Sequence, residues 1–232
     1  MSNFNTTPTL VITSLKLSKD DEGSTIDPTL FKRLVGILMY LTATRPDIMY
    51  GVSLISRFME SLKDSHWKAG KIILMYVSSK KDLGIMYSTS ENFIHIEYTD
   101  SDNGGITNDR KNTYGYRFHF GIGVVSWDSK KQSSAEAEYV TTTCILCQVV
   151  WMRRIFKDLL QNQQEPTTIF RDNNSTITLS KNHVFHKRTK HIDRRFHFIR
   201  ELVNNKEICL EFCKSEDQLA DIFTKPLARY TF

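Results

Sequence analysis

The stretch Phe93-Ile-His-Ile-Glu-Tyr-Thr-Asp-Ser-Asp102 alternates with period two and then stops on acids. Period-two alternation is the signature of a half-buried strand. In open α/β sheets, ligand sites lie beyond the carboxyl ends of strands, so a strand ending on a carboxylate is a candidate site wall. Downstream, Tyr114–Phe120 and Gly123–Trp127 read as two further strands joined by the turn Gly121-Ile-Gly123. Ser133-x-x-Glu136 is a capping box opening a long helix that is expected to run to Leu160. Thr167–Asp172 reads as a short strand and Asn173–Ser180 as a short helix. An amphipathic helix follows over 189–205, with Ile192, Phe196, Ile199 and Val203 inward. Ile208, Leu210 and Phe212 alternate in a last strand, and Ser215-x-x-Gln218 is expected to cap a final helix ending before Pro226. The order β-β-β-α-β-α-α-β-α implies an α/β fold with a mixed sheet.

Upstream the pattern is different. Residues 1–26 are polar and aperiodic, a linker by composition. Asp27-Pro28 offers an N-cap and a first-turn proline, and Leu30, Leu34, Ile37, Leu38 and Leu41 follow at helical spacing. Thr44-Arg-Pro-Asp47 opens a second helix carrying Val52, Ile55 and Met59, and a third spans about Asp64 to Ser78. Ile85–Tyr87 is a short strand candidate. The expected division is a linker over 1–26, a helical segment over 27–90 and an α/β domain over 91–232.

The chain has 232 residues and a net charge of +5, unevenly spread. Residues 181–200 hold Lys181, Lys187, Arg188, Lys190, Arg194, Arg195 and Arg200 against Asp193 alone, a segment of +6 that leaves −1 for the rest. Such a patch is the electrostatic footprint of phosphate-backbone binding, with a solvated helix face as the plainer alternative. Lys187, Arg188, Lys190, Arg194 and Arg195 are the candidate contacts. No apolar run approaches the ~18 residues of a membrane-spanning helix, so no membrane partner is expected. The polar N-terminus is not a secretory signal, and the expected location is cytoplasmic or nuclear. Cys144 with Cys147 and Cys209 with Cys213 read as small buried hydrophobes rather than a zinc site. His183, His186, His191 and His197 read as solvated or phosphate-facing.

Hydrolysis of a phosphodiester needs an activated water and a neutralised leaving oxygen, and two divalent metals held by carboxylates supply both. Asp100 and Asp172 each end a strand, Glu138 lies in the first turns of the long helix, and Asp221 lies near the C-terminus. Any of these acids alone reads more simply as a surface or capping residue. Together, in this order, they are a candidate metal set. Asp102 is an alternative first-strand ligand, because alternation puts it on the face of Asp100.

Several long motifs run through the chain in a fixed order. They are Leu34-Val-Gly-Ile-Leu-Met-Tyr-Leu-Thr-Ala-Thr-Arg-Pro-Asp47, Tyr98-Thr-Asp-Ser-Asp102, Asp109-Arg-Lys-x-Thr113 and Val125-Ser-Trp-x-Ser-Lys-Lys-Gln132. Ala135-Glu-Ala-Glu-Tyr139, Asp172-Asn-Asn-Ser175, Arg188-Thr-Lys-His-Ile-Asp193 and Asp217-Gln-Leu-Ala-Asp-Ile-Phe-Thr-Lys-Pro-Leu227 continue the series. Together these motifs resemble the ribonuclease H region of copia-type retrotransposon Pol polyproteins, with the connection segment that precedes it. The resemblance implies a ribonuclease H-like five-stranded mixed sheet flanked by helices and, for a cytoplasmic location, a virus-like particle. It also implies cleavage of the RNA strand of RNA–DNA hybrids with two Mg2+ or Mn2+ ions on Asp100, Glu138, Asp172 and Asp221. The partners implied are the hybrid and the polymerase part of the same polyprotein. The sequence departs from the family pattern in a shorter connection before Glu138 and in Asn103-Gly, where the family carries a tryptophan. The only Asp-Asp pair, Asp20-Asp21, has no polymerase-type tyrosine before it. The alternative reading is a decayed domain that binds nucleic acid without cutting it. An integrase-like set of Asp100, Asp172 and Glu207 fits poorly, because Glu207 opens a strand pattern where a helix is needed.

Overall fold

The computed structural model describes residues 17–18, 27–88, 95–102, 112–132, 137–161, 163–174, 177–178 and 190–225; of residues 102, 137–141, 190–193 and 196 it describes the backbone. Helix α1 spans Pro28–Leu41, its Asp27 carboxylate accepting from the Thr29 amide at 2.8 Å. A 3-10 turn at Pro46–Ile48 leads into α2 (Met49–Ser56), so the second helix begins later than the proline suggests. Helix α3 spans Asp64–Ser79. The three close on Phe31, Val35, Leu38, Ile48, Ile55 and Ile73, all at 0% exposure.

Strands β1 (His95–Asp102), β2 (Thr113–Phe120) and β3 (Gly123–Lys131) form a meander. Gly121 takes φ 60° at the tight β2–β3 turn, a conformation glycine adopts without steric cost. Helix α4 (Ala137–Asp158) leads to β4 (Thr167–Arg171), and α5 (Lys190–Asn204) leads to β5 (Ile208–Phe212). Sheet order is β3-β2-β1-β4-β5, antiparallel among the first three strands and parallel from β1 through β4 to β5. Phe118, Leu146, Val149, Ile169, Ile199, Leu202, Ile208 and Leu210 form the core between the sheet and the helices α4 and α5. The helical unit docks on the sheet through polar links. Trp127 Nε1 donates to the Thr42 carbonyl at 2.9 Å, Arg57 Nη2 to Thr113 Oγ1 at 3.1 Å, and the Tyr87 hydroxyl to the Val124 carbonyl at 2.8 Å.

Three expectations change. Ile85–Tyr87 forms no strand; the segment lies as irregular chain against β3, where Tyr87 makes its bond. The final helix is two separate 3-10 turns, Ser215–Asp217 and Asp221–Phe223, because Gln218 turns inward and breaks the run. Its side chain donates to the Thr99 carbonyl at 3.0 Å and accepts from the Ala220 amide at 3.2 Å. Cys144 and Cys147 are exposed on α4 rather than buried, since their side of the helix faces away from the sheet; Cys213 is buried. The Ser133–Glu136 capping box lies outside the described residues. So does part of the short helix after β4, of which Asn174, Ile177 and Thr178 are helical.

Candidate active site

Asp100 lies in the last turn of β1's alternation, 3% exposed, paired in register with Gly115 of β2. That glycine is required: a Cβ there would stand 2.3 Å from Phe223 Cβ. The absence of a side chain lets the Asp221–Phe223 turn settle on the sheet beside Asp100. Ser129 Oγ donates to the Phe223 carbonyl at 2.6 Å and Gln218 holds the approach to the turn, so three strands fix where Asp221 sits. The Thr224 hydroxyl donates to Asp100 Oδ2. The Lys225 ammonium lies 3.1 Å from Asp221 Oδ1 and 3.5 Å from Asp100 Oδ2, bridging the two acids.

Two carboxylates this close, and largely out of water, resist ionising together. Burial, then the charge of Asp100, push the Asp221 carboxyl up to about 6, although Lys225 pulls it down. Burial and the carboxylates of Asp172, Asp217, Asp221 and Asp100 likewise push the Cys213 thiol up to about 11, which makes it a poor nucleophile and a poor metal ligand.

The parallel register pairs Tyr98 with Phe170, and Asp100 and Asp172 each follow by two residues, so the two acids leave adjacent strand ends. Ser215 Oγ approaches Asp172 Oδ2 at 3.5 Å. Glu138 lies in the first turn of α4, with only its backbone described, and the same holds for Asp102 on β1. Among the described residues, no three Asp, Glu, His or Cys side chains converge closely enough to hold an ion. Asp100 and Asp221 are brought together; Asp172 stands at the next strand end, turned toward Ser215.

Sequence reasoning passed over Thr224, Lys225 and Gln218 as site residues. The spacing carried a signal for the first two, since residues three and four beyond Asp221 share its face of a helical turn. Gln218 reads as a capping residue in sequence, and only the fold turns it inward. In the basic segment, Arg194 is exposed and Arg195 half-buried on α5; Lys190 is described by its backbone, and Lys187 and Arg188 lie outside the described residues. On the same helix Ile199 and Leu202 are buried.

A three-stranded antiparallel meander extended by two parallel strands, with acids at the ends of β1 and β4, is a ribonuclease H-like fold. No family model matches the chain. The chain is 37% identical over 229 residues to a retrovirus-related Pol polyprotein from transposon RE2 of Arabidopsis thaliana, covering 97% of this chain and 16% of that protein. It is 35% identical over 244 residues to the Pol polyprotein from transposon TNT 1-94 of Nicotiana tabacum, covering 100% of this chain and 18% of that protein. A solved foamy viral protease-reverse transcriptase (dRH, in complex with double-stranded DNA) superposes with a TM-score of 0.53 at 14% identity, over 87% of this chain and 35% of that one. The chain belongs to the retrovirus-related Pol polyproteins of copia-type transposons, and it spans less than a fifth of the length of the two relatives above.

Proposed function

We propose that the chain cleaves the RNA strand of RNA–DNA hybrids. The observation that supports this most is the sharing of one cation, the Lys225 ammonium, by two acids from opposite ends of the sheet unit. A site that gathers buried carboxylates around positive charge fits hard divalent ions, which prefer oxygen donors. Asp100, Glu138, Asp172 and Asp221 would hold them, with Asp102 as the alternative on β1. Two Mg2+ or Mn2+ ions, when bound, supply charge that lowers the pKa of water and offsets the leaving oxygen. The chain's own residues do the rest. Thr224 orients the Asp100 carboxylate, Lys225 balances the paired charge, and Gly115 with Ser129 holds the turn that carries Asp221. Arg194 and Arg195 would contact phosphates, with Lys187, Arg188 and Lys190 as the rest of the same basic segment. The polymerase part of the same polyprotein is the proposed protein partner.

A second reading is a domain that binds hybrid without cutting it, supported by the exposed Arg194 and the half-buried Arg195 on α5 within the basic segment. One experiment separates them. The chain is incubated with labelled RNA–DNA hybrid and Mg2+ beside Asp100→Asn and Asp172→Asn. Cleavage by the parent alone supports the enzyme; retained hybrid binding without cleavage in any of the three supports the binding domain.

A further inference from the structure

On the face of the sheet opposite Asp100, alternation lines up His95, Glu97 and Thr99 of β1 with Thr167, Ile169 and Arg171 of β4. Helix α4 covers this face, and Arg171 is one of the largest fully buried side chains, 2% exposed. Its Nη1 donates to the hydroxyl of Thr142, itself 3% exposed, in α4. Glu97 is 0% exposed, and neither of its carboxylate oxygens accepts a hydrogen bond. It lies diagonally across the strand pair from Arg171; burial pushes its carboxyl well above the usual carboxylate range, with the Arg171 charge opposing that rise. Diagonal neighbours on paired strands are within reach of long side chains.

A buried guanidinium seldom stabilises a fold better than an apolar side chain of the same size. Its position gives it another use. Arg171 immediately precedes Asp172, and Thr142 follows Glu138 by four residues, one helical turn on the same face. A single guanidinium therefore ties the strand end that carries one acid to the helix turn that carries another, on the face of the sheet that α4 covers.

We propose that Arg171 is a positioning residue, which through Thr142 sets where the first turns of α4 lie over the end of β4 and so where Glu138 meets Asp172. The Glu97 carboxyl is buried on the same face, diagonal to the guanidinium. The assignment rests on the proposed ribonuclease H reading for its consequence in catalysis, but the anchoring of α4 is a separate physical claim.

The test uses the full chain and Thr142→Val, which removes the acceptor while leaving Glu97 and Arg171 in place, with Thr142→Ser as the variant that keeps the hydroxyl. Amide hydrogen exchange over 141–146 is read alongside kcat and KM for the hybrid with Mg2+. Thr142→Val should speed exchange in those turns about tenfold while β1 and β4 keep their protection, because local opening depends on local contacts. It should lower kcat roughly 10- to 100-fold with KM within about twofold, as expected for a displaced catalytic group. Thr142→Ser should stay near the parent in both readouts. Unchanged exchange in Thr142→Val overturns the anchor. Faster exchange with unchanged kcat, or a change in KM alone, overturns the positioning role. A parent that binds hybrid without turnover defeats the proposed function instead, and exchange alone then decides the anchor.

Discussion

The two units of this chain bury side chains of similar size by different means. The helical unit closes on Phe31, Val35, Leu38, Ile48, Ile55 and Ile73, and its buried Arg45–Asp47 pair is saturated. Arg45 Nε donates to Asp47 Oδ1 at 2.8 Å, Nη2 to Oδ2 at 2.5 Å, and Nη1 to the Lys80 carbonyl at 3.0 Å. Under α4 the sheet unit buries Glu97, Thr99 and His95 with polar atoms that find no partner. On the other face it crowds Asp100 against Asp221. Unsatisfied buried polar groups cost free energy, and proteins tolerate them mainly where function requires it. The contrast teaches that one unit is built to stay folded and the other carries stored electrostatic cost at the end of its sheet.

The largest expected effect breaks the chemistry of the second unit and spares the first. Asp100→Asn should lower hybrid cleavage by more than about a hundredfold, an effect in line with removing a group that acts in the transition state, while hybrid affinity changes little. Thermal melting of the same variant should show the helical unit unaffected.

The next test sets the two cores directly against each other. Phe31→Ala should cost about 3–5 kcal/mol in urea unfolding, through lost burial and the cavity left behind. The double change Glu97→Met with Arg171→Met should be neutral or stabilising by up to about 4 kcal/mol, because a desolvated guanidinium and a buried carboxyl without hydrogen bonds give way to packing. Equal losses in both would erase the distinction drawn between the units.

Acid should also act on the sheet unit. Burial, with the Arg153 charge, lowers the His95 pKa to about 4. Above its ordinary value of about 6.5 the residue is neutral folded or unfolded and contributes no pH dependence. As pH falls from there toward 4 the unfolded chain takes up the proton first, so stability drops, by at most about 3 kcal/mol. His95→Gln should flatten that part of the stability profile.

A smaller pH effect belongs to the site. Asp221 holds its proton up to about pH 6, so metal-free stability gained from that proton is present at low pH and is lost as pH rises through about 6. Divalent ions compete with the same proton, and Mn2+ affinity by calorimetry should strengthen between pH 5 and 7, by up to about tenfold per unit while one proton is displaced. Asp221→Asn should remove the dependence. The smallest effect is a surface control in the helical unit. Breaking the exposed Lys68–Asp64 pair (2.7 Å) with Lys68→Ala should change stability by about 0.5 kcal/mol or less.

Much of this was legible in the chain before folding. The period-two run through Thr99-Asp100, the helical spacing of Leu34 and Leu38, and the alternation at Ile208 and Leu210 report burial, which sequence encodes locally, whereas Phe212 in the same alternation is 50% exposed. Asp100 and Asp221 were also readable as site candidates, one from its strand end and the other from its motif. Ile85–Tyr87 misled because three apolar residues carry too little periodicity to separate a strand from a packed irregular segment. The expected final helix misled because a capping pattern does not reveal that Gln218 will be drawn inward to the Thr99 carbonyl.

By itself, the sequence determined which residues alternate, which face of each helix is apolar, where the basic segment lies and which acids end strands. Those properties depend on neighbours within a few positions. Only the tertiary structure decided that Gly115 makes room for Phe223, that Lys225 sits between Asp100 and Asp221, and that Arg171 reaches Thr142. Each of these joins segments distant in the chain, and such contacts are set by sheet order, register and side-chain volume rather than by any local pattern.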